Sequence, residues 1–480
     1  MYYVQNLRLK FPGEDSLLFR DLSFTISRGE KVLLLGPSGS GKSTLLQVLS
    51  GIIPKITEVP IVYDDAHLPT SWGYVFQDPD TQFAMPFVDE ELAFVLENLQ
   101  VPREKMDEKI AHMLALVGLT LDDPHTLIED LSQGMKQRLA LASVLLLEPD
   151  VLFLDEPSAL LDPEGTEQIW DTVKRLTHNQ TVIIVEHKID LLEDFVDRVV
   201  LLNHEGEIVA SGPPEHIFTE YRQTLIDDGI WYPGVWEQYV DSSSYRMLFE
   251  QREQVKGDSL VSLEDFRAFR GDEEKLYVPQ ATVTEGEWIT IIGDNGAGKS
   301  TLLLALMQLL ETSGTYEVNG RTIQGAKKVK HRVIPKELTL VFQNPELQFV
   351  TNTIYEEVAL GLKLRGASDE EVETFVRDIL PALRLDVGDE RHPFQLSTGQ
   401  KRRLSVATAL TTEATLLLLD EPTFGQDAYN TFRLLEELEK MRRRGHTIMM
   451  VTHDLNIVRY FATTMWRIDQ GELVEVIRHD

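Results

Sequence analysis

GPSGSGKST, from Gly36 to Thr44, follows the apolar run KVLLL and leads into a second apolar run, LLQVLSGI. A buried strand, then GxxxxGK[ST], then a helix is the setting in which such a glycine-rich stretch binds phosphate. Glycines let backbone N–H groups wrap a β-phosphate, and the helix N-terminus adds its partial positive charge. The pattern returns as ITIIGDNGAGKSTLLLAL, with Gly36 matched by Gly293, 257 residues on. The candidate nucleotide-binding residues are therefore Gly36-Pro37-Ser38-Gly39-Ser40-Gly41-Lys42-Ser43-Thr44 and Gly293-Asp294-Asn295-Gly296-Ala297-Gly298-Lys299-Ser300-Thr301. Lys42 and Lys299 would reach the β/γ-phosphates of ATP, and Ser43 and Ser300 would ligate Mg2+.

Four further elements repeat in the same order. VFQDPDTQF returns as VFQNPELQF (Gln77 and Gln343), LSQGMKQRLALA as LSTGQKRRLSVA (Leu131 and Leu396), LFLDEP as LLLDEP (Asp155 and Asp420), and VEH as VTH (His187 and His453). Such a long-period repeat means two copies of one domain, and 480 residues suit two cores better than one. The offset grows by nine residues between the first two elements, which predicts a loop insertion in the second copy near Gln324–Arg332. The expected division is 1–220, a linker over 221–257, and 258–480. In the linker, Trp231 and Trp236 are read either as a docking surface or as anchors pinning it to a domain.

The carboxylates carry the chemistry. Four apolar residues before Asp155 and Asp420 predict a strand buried on both faces, as in a parallel α/β sheet. Each Asp then emerges at the carboxyl end, the edge where open α/β sheets bind ligands. There Asp155 and Asp420 can hold Mg2+ together with the serines and with Gln77 and Gln343. Glu156 and Glu421, one residue on, are placed to orient or deprotonate the attacking water. His187 and His453 each end an apolar strand and would contact the γ-phosphate.

A net charge of −32 argues against nucleic acid as the main partner. The absence of cysteine excludes disulfides and thiolate chemistry. The start, MYYVQNLRLKF, has no apolar run of signal-peptide type, and no stretch of about 18 apolar residues occurs. The expectation is a protein outside the bilayer, on the cytoplasmic face of the membrane, linked to it through partners.

On these motifs the chain resembles the ATP-binding-cassette ATPases over all but its linker. LSTGQ (Leu396 to Gln400) matches that family's LSGGQ signature closely; LSQGM (Leu131 to Met135) departs from it at Gln133 and Met135. The resemblance implies an α/β fold of two tandem phosphate-loop domains, each with a mainly parallel core sheet, an antiparallel β subdomain and a helical signature subdomain. It further implies that each ATP lies between one phosphate loop and the opposite signature. Ser397, Gly399 and Gln400 would complete the Lys42 site, and Ser132 and Gly134 the Lys299 site. Phe11 fits the aromatic that stacks on adenine; in the second copy Phe269 fits, with Phe266 as the alternative.

Within the family, FQDPDTQF, FQNPELQF, the acidic helices after them and EPTFGQD resemble energy-coupling-factor importers, some of which are proposed for thiamine-precursor uptake. That resemblance implies a membrane coupling protein and a small substrate-capturing membrane protein as partners, docking on Phe83–Phe94 and Phe349–Leu360. A twin-cassette ATPase acting on ribosomes is the alternative, weakened by the acidic balance of the linker. Blander readings suffice elsewhere: Asp64-Asp65 and Asp122-Asp123 as solvent-facing turns, Lys327–Arg332 as a solvated loop, and Arg442-Arg443-Arg444 as a helix C-terminus.

Overall fold

The computed structural model describes every residue except 14–15, 159–160, 162, 188, 250–256, 325–333, 386–387, 389 and 480. The expected insertion and its Lys327–Arg332 run thus lie almost wholly outside the described residues. The chain packs as two compact units, Met1–Pro233 with Asp427–Tyr429, and Gly234–Gln426 with Asn430–Asp480.

The first unit is built on a six-stranded sheet. Its order is Ile208–Gly212, Arg198–Leu202, Lys31–Leu35, Thr181–Val185, Val151–Asp155 and Trp72–Val75. All neighbours run parallel except the first pair, which is antiparallel. The strands VLFLD and TVIIV are buried at every position, because helices cover both faces of a parallel sheet and leave no face for polar residues. A small antiparallel sheet sits beside it, with Tyr2–Leu9 paired to Phe19–Ile26 on one edge and to Ile61–Val62 and Asp65–His67 on the other. Here burial alternates, as in FRDLSFTI, the period-two pattern of a sheet with one wet face. Asp65 therefore lies in a strand rather than a turn, and its carboxylate accepts a 2.8 Å hydrogen bond from the Tyr3 hydroxyl. Helices Val88–Asn98, Met106–Leu116 and Gln133–Leu145 form the helical part.

The second unit repeats the core order with Glu472–Arg478, Thr464–Asp469, Trp288–Ile292, Thr447–Val451, Leu416–Asp420 and Leu338–Val341. Its antiparallel strands, Ser259–Arg270, Glu273–Thr284, Glu311–Val318 and Arg321–Thr322, join the same sheet through the pair Tyr277↔Glu472. Helices Ile354–Leu364, Asp369–Ala382 and Thr398–Ala409 complete it. The expected α/β fold class, with parallel core, antiparallel strands and signature helices in both copies, is what the structure shows.

Short helices occupy much of the stretch expected to link the copies: Arg222–Asp227, Val235–Val240 and Ser243–Phe249. Trp236 is buried in the second unit, edge-on to Phe432 at 4.9 Å and stacked on Tyr460. Tyr239 stacks on Phe432 at 3.9 Å. Trp236 is thus an anchor, not a free docking surface. Arg442 is also more than a helix-end cation: it forks onto the fully buried Glu439 and donates to the Gly286 carbonyl.

Candidate active site

In each unit the phosphate loop leaves the carboxyl end of its strand with glycines in the left-handed region, among them Gly39 (φ 86°), Gly41 (φ 91°), Gly296 (φ 81°) and Gly298 (φ 106°). Only glycine takes such backbone freely. Gly41 and Gly298 begin the helices Lys42–Ser50 and Lys299–Leu306. The buried Lys42 ammonium spans its own loop, donating to Gly36 O (2.7 Å) and Pro37 O (2.9 Å). Lys299 does the same to Gly293 O (2.6 Å) and Asp294 O (2.8 Å). Burial lowers the Lys42 pKa, opposed by Glu156 and Asp155.

Asp155 ends its strand and faces the loop helix. Its carboxylate accepts from Ser43 Oγ (2.8 Å) and from the Tyr74 hydroxyl (2.9 Å). Burial pushes it up to about 6 against the pull of those hydrogen bonds. Asp420 sits against Ser300 and is likewise pushed by burial to about 6, and its Oδ1 is buried with no hydrogen-bond partner among the described residues. A desolvated carboxylate with an open oxygen, beside a serine hydroxyl, offers the oxygen donors that Mg2+ prefers. At Gly39 and Gly296, nothing lies within 4 Å of where a Cβ would stand, so the loop faces open space suited to phosphate. The residues fit Mg2+ and a nucleotide triphosphate.

Glu156 and Glu421 both have φ of 50°. Left-handed backbone at a non-glycine residue costs energy and survives where surrounding contacts impose it. Here the next strand imposes it: Glu156 N donates to Val185 O (2.8 Å) and Glu421 N to Val451 O (3.1 Å). His187 Nε2 lies 3.1 Å from Glu156 Oε1, and His453 Nε2 lies 3.1 Å from Glu421 Oε1. Gln77 Nε2 donates to Glu156 Oε2 at 2.9 Å. Burial would lift the Glu156 carboxyl, but His187 and Lys42 outweigh it and hold the group below its ordinary range. The same contest at Glu421 is won by His453, Lys299 and Arg402. An ionised carboxylate so placed can accept a proton from water at the strand end.

The structure thus gathers loop lysine, serine, Asp, Glu and His of each copy at one sheet edge. Phe266 is buried in the core against Tyr316, whereas Phe269 is half-exposed near the end of the same strand and Phe11 stands exposed. Each signature serine caps its helix, Ser132 Oγ accepting from Met135 N and Ser397 Oγ from Gln400 N (both 3.3 Å). Gln400, expected among the ATP-binding residues, turns its side chain back to accept from Ser397 N at 3.0 Å, closing a capping box. Met135 cannot return that bond, which gives the LSQGM departure its physical meaning. Tyr74, Arg402 and Glu186 were not anticipated. Glu186 is buried, accepts from Ser158 Oγ (2.7 Å) and His187 N (2.8 Å), and has its pKa raised by burial.

A family model described as ABC transporter matches residues 19–159 and 278–424, the stretches that hold the phosphate loops, the signature helices and the Asp-Glu pairs. The chain belongs to the ABC transporter family. It is an ABC ATPase, binding and hydrolysing ATP with Mg2+. It is 34% identical, over 96% of its length and 88% of the relative's, to the "Putative HMP/thiamine import ATP-binding protein YkoD" of Bacillus subtilis (strain 168). It is 32% identical over 98% of its length and 88% of the relative's to a "Putative ABC transporter ATP-binding protein" of Methanosarcina mazei. Among solved structures it is similar to the archaeal ribosome recycling factor aABCE1 in complex with ribosomal stalk protein aP1. The TM-score there is 0.67, with 20% identity, covering 98% of this chain and 90% of that one. At that identity the likeness shows the tandem fold and nothing of function.

Proposed function

We propose that this ABC ATPase drives a membrane importer of the energy-coupling-factor type, carrying a vitamin, a vitamin precursor or a metal ion. The observation that carries this is the near-full-length relation to an import ATP-binding protein, together with a complete set of hydrolytic residues in both halves. Cassettes over 1–220 and 258–480, joined by 221–257, would each bind one ATP. Lys42 and Lys299 grip the phosphates, and Ser43, Asp155 and Gln77, with Ser300, Asp420 and Gln343, hold Mg2+. When bound, Mg2+ neutralises charge building on the β- and γ-phosphate oxygens. Glu156 and Glu421 take the proton of the attacking water, and His187 and His453 hold those carboxylates in place and reach the γ-phosphate. Phe11 and Phe269 stack on adenine. Ser132 and Gly134, and Ser397, Gly399 and Gln400, complete the site of the opposite half.

Coupling would run through Phe83–Phe94 and Phe349–Leu360. Large apolar side chains are exposed in and beside them, Phe94 at 39%, Leu347 at 71% and Leu364 at 80%. Exposed large apolar side chains at these segments are what a partner surface would use. Among the described residues no helix is long and apolar enough to cross a membrane; in this reading the partners supply the bilayer-spanning part and the chain works peripherally on the cytoplasmic face. The ribosomal alternative has no specific observation behind it, and the charge of −32 opposes an RNA-rich partner. Affinity purification from detergent-solubilised membranes tests the reading: two co-purifying integral membrane proteins are expected, and recovery with ribosomes instead would overturn it.

A further inference from the structure

Arg402 lies on the signature helix Thr398–Ala409, buried, four residues beyond its start. Its guanidinium donates to the backbone carbonyl of Glu421 at 2.7 Å and to that of Gln343 at 3.0 Å, and stacks over Phe424 at 4.9 Å. One cation therefore ties three separate pieces together: the helix that opens with Ser397, the strained backbone of Glu421, and the backbone of Gln343. The Glu421 peptide is held from both sides, its N–H by Val451 O and its carbonyl by Arg402.

Among the described residues the first copy has no such tie. The equivalent residue is Gln137, also buried, and among the described residues neither atom of its amide finds a hydrogen-bond partner. An amide is shorter and uncharged, and cannot reproduce the planar two-pronged donation of a guanidinium. The second half is locked further by Arg403 Nη1 donating to Gln426 Oε1 (2.6 Å) and Gln426 Nε2 to Gly399 O (2.9 Å). Leu161, the first-copy counterpart of Gln426, has an apolar side chain that cannot make that bridge.

We propose that Arg402 is a positioning residue for ATP hydrolysis at the Lys299 site, registering Glu421 and Gln343 to the signature helix of their own cassette, and that the Lys42 site works without this device. The two sites are then unequal by construction: Glu421 moves with its signature helix, whereas Glu156 is held by its backbone bond to Val185 and by Gln77 and His187, with no tie to its signature helix among the described residues. The inference rests on Glu421 being the water-activating carboxylate of the proposed function.

The test uses the full chain and compares Arg402→Gln with Glu421→Gln in steady-state ATP hydrolysis and equilibrium ATP binding. Glutamine already stands at position 137 of the sister helix, so the substitution is compatible with this helix environment; if Arg402→Gln fails to fold, Arg402→Lys carries the comparison. Expected are a kcat that falls toward the Glu421→Gln value, a KM for ATP within about twofold of the parent's, and partial recovery in Arg402→Lys, whose single ammonium reaches one carbonyl. Parental kcat in the Arg402 variant beside a defective Glu421→Gln overturns the positioning role, as does loss of ATP binding matching the loss of rate. Parental kcat in Glu421→Gln itself would instead sink the proposed function.

Discussion

Replacing Gly293 with alanine places a Cβ 2.1 Å from the carbonyl oxygen of Ile468, a backbone atom that no rotamer change can move. Gly293 also has φ of 147°, outside what an L side chain accepts. A carbon and a carbonyl oxygen rest no closer than about 3.3 Å, so the loop must shift by roughly 1 Å. That shift is applied at the base of the loop that carries Lys299 and Ser300, next to the strand pair Ile292↔Arg467. Misplacement on that scale costs about a hundredfold in rate, near 2.7 kcal/mol of transition-state stabilisation. The assay is single-turnover ATP hydrolysis with Glu156→Gln silencing the other site, alongside an ATP-binding isotherm. The control is Gly286→Ala: its φ is 78° and a Cβ meets nothing within 4 Å, so it should cost about 1 kcal/mol of stability and leave hydrolysis alone. A Gly293→Ala chain that binds and turns over ATP like its parent refutes the reasoning.

Other consequences follow from single contacts. Glu156→Gln and Glu421→Gln should each lower turnover by about a hundredfold at their own site while sparing ATP binding; parental turnover from either removes that residue from the chemistry. Trp236→Ala should lower the stability of the second unit by about 3 kcal/mol, read in urea unfolding, because it empties the contact with Phe432 and Tyr460; an unchanged midpoint would mean the aromatic anchor is idle. Glu186, raised above its ordinary 4.5 by burial, contributes stability that is full below that pH and is lost as pH rises through its folded value. Glu186→Gln, neutral throughout, should therefore gain in melting temperature over the parent as pH goes from about 5 to 8, and a difference that stays flat contradicts the assignment.

The fold was legible because its decisive strands are apolar throughout and end in charged or glycine residues, as in VLFLDEP and LLLLDEP. The shared half of the site was legible for a related reason: a residue that recurs at one period in both copies stands out from its neighbours. What the repeat could not reveal is what differs between copies. Tyr74 bonds Asp155, yet its counterpart is Leu340; Arg402 is matched by Gln137; Glu186 is matched by Thr452. Burial and a hydrogen bond give these residues their roles, and neither is visible in a single sequence. Arg442 read only as one of three cations at a helix C-terminus because its partners, Glu439 one helical turn back and Gly286 far off in sequence, appear only once the chain is folded.

Counting bound nucleotide tests the central claim most directly. In a chain carrying Glu156→Gln and Glu421→Gln, so that ATP is held rather than consumed, equilibrium dialysis with Mg-ATP is expected to find two ATP per chain. Adding Lys42→Ala or Lys299→Ala should leave one, and adding both should leave none. Two ATP retained after loss of both lysines would contradict the assignment of the phosphate loops.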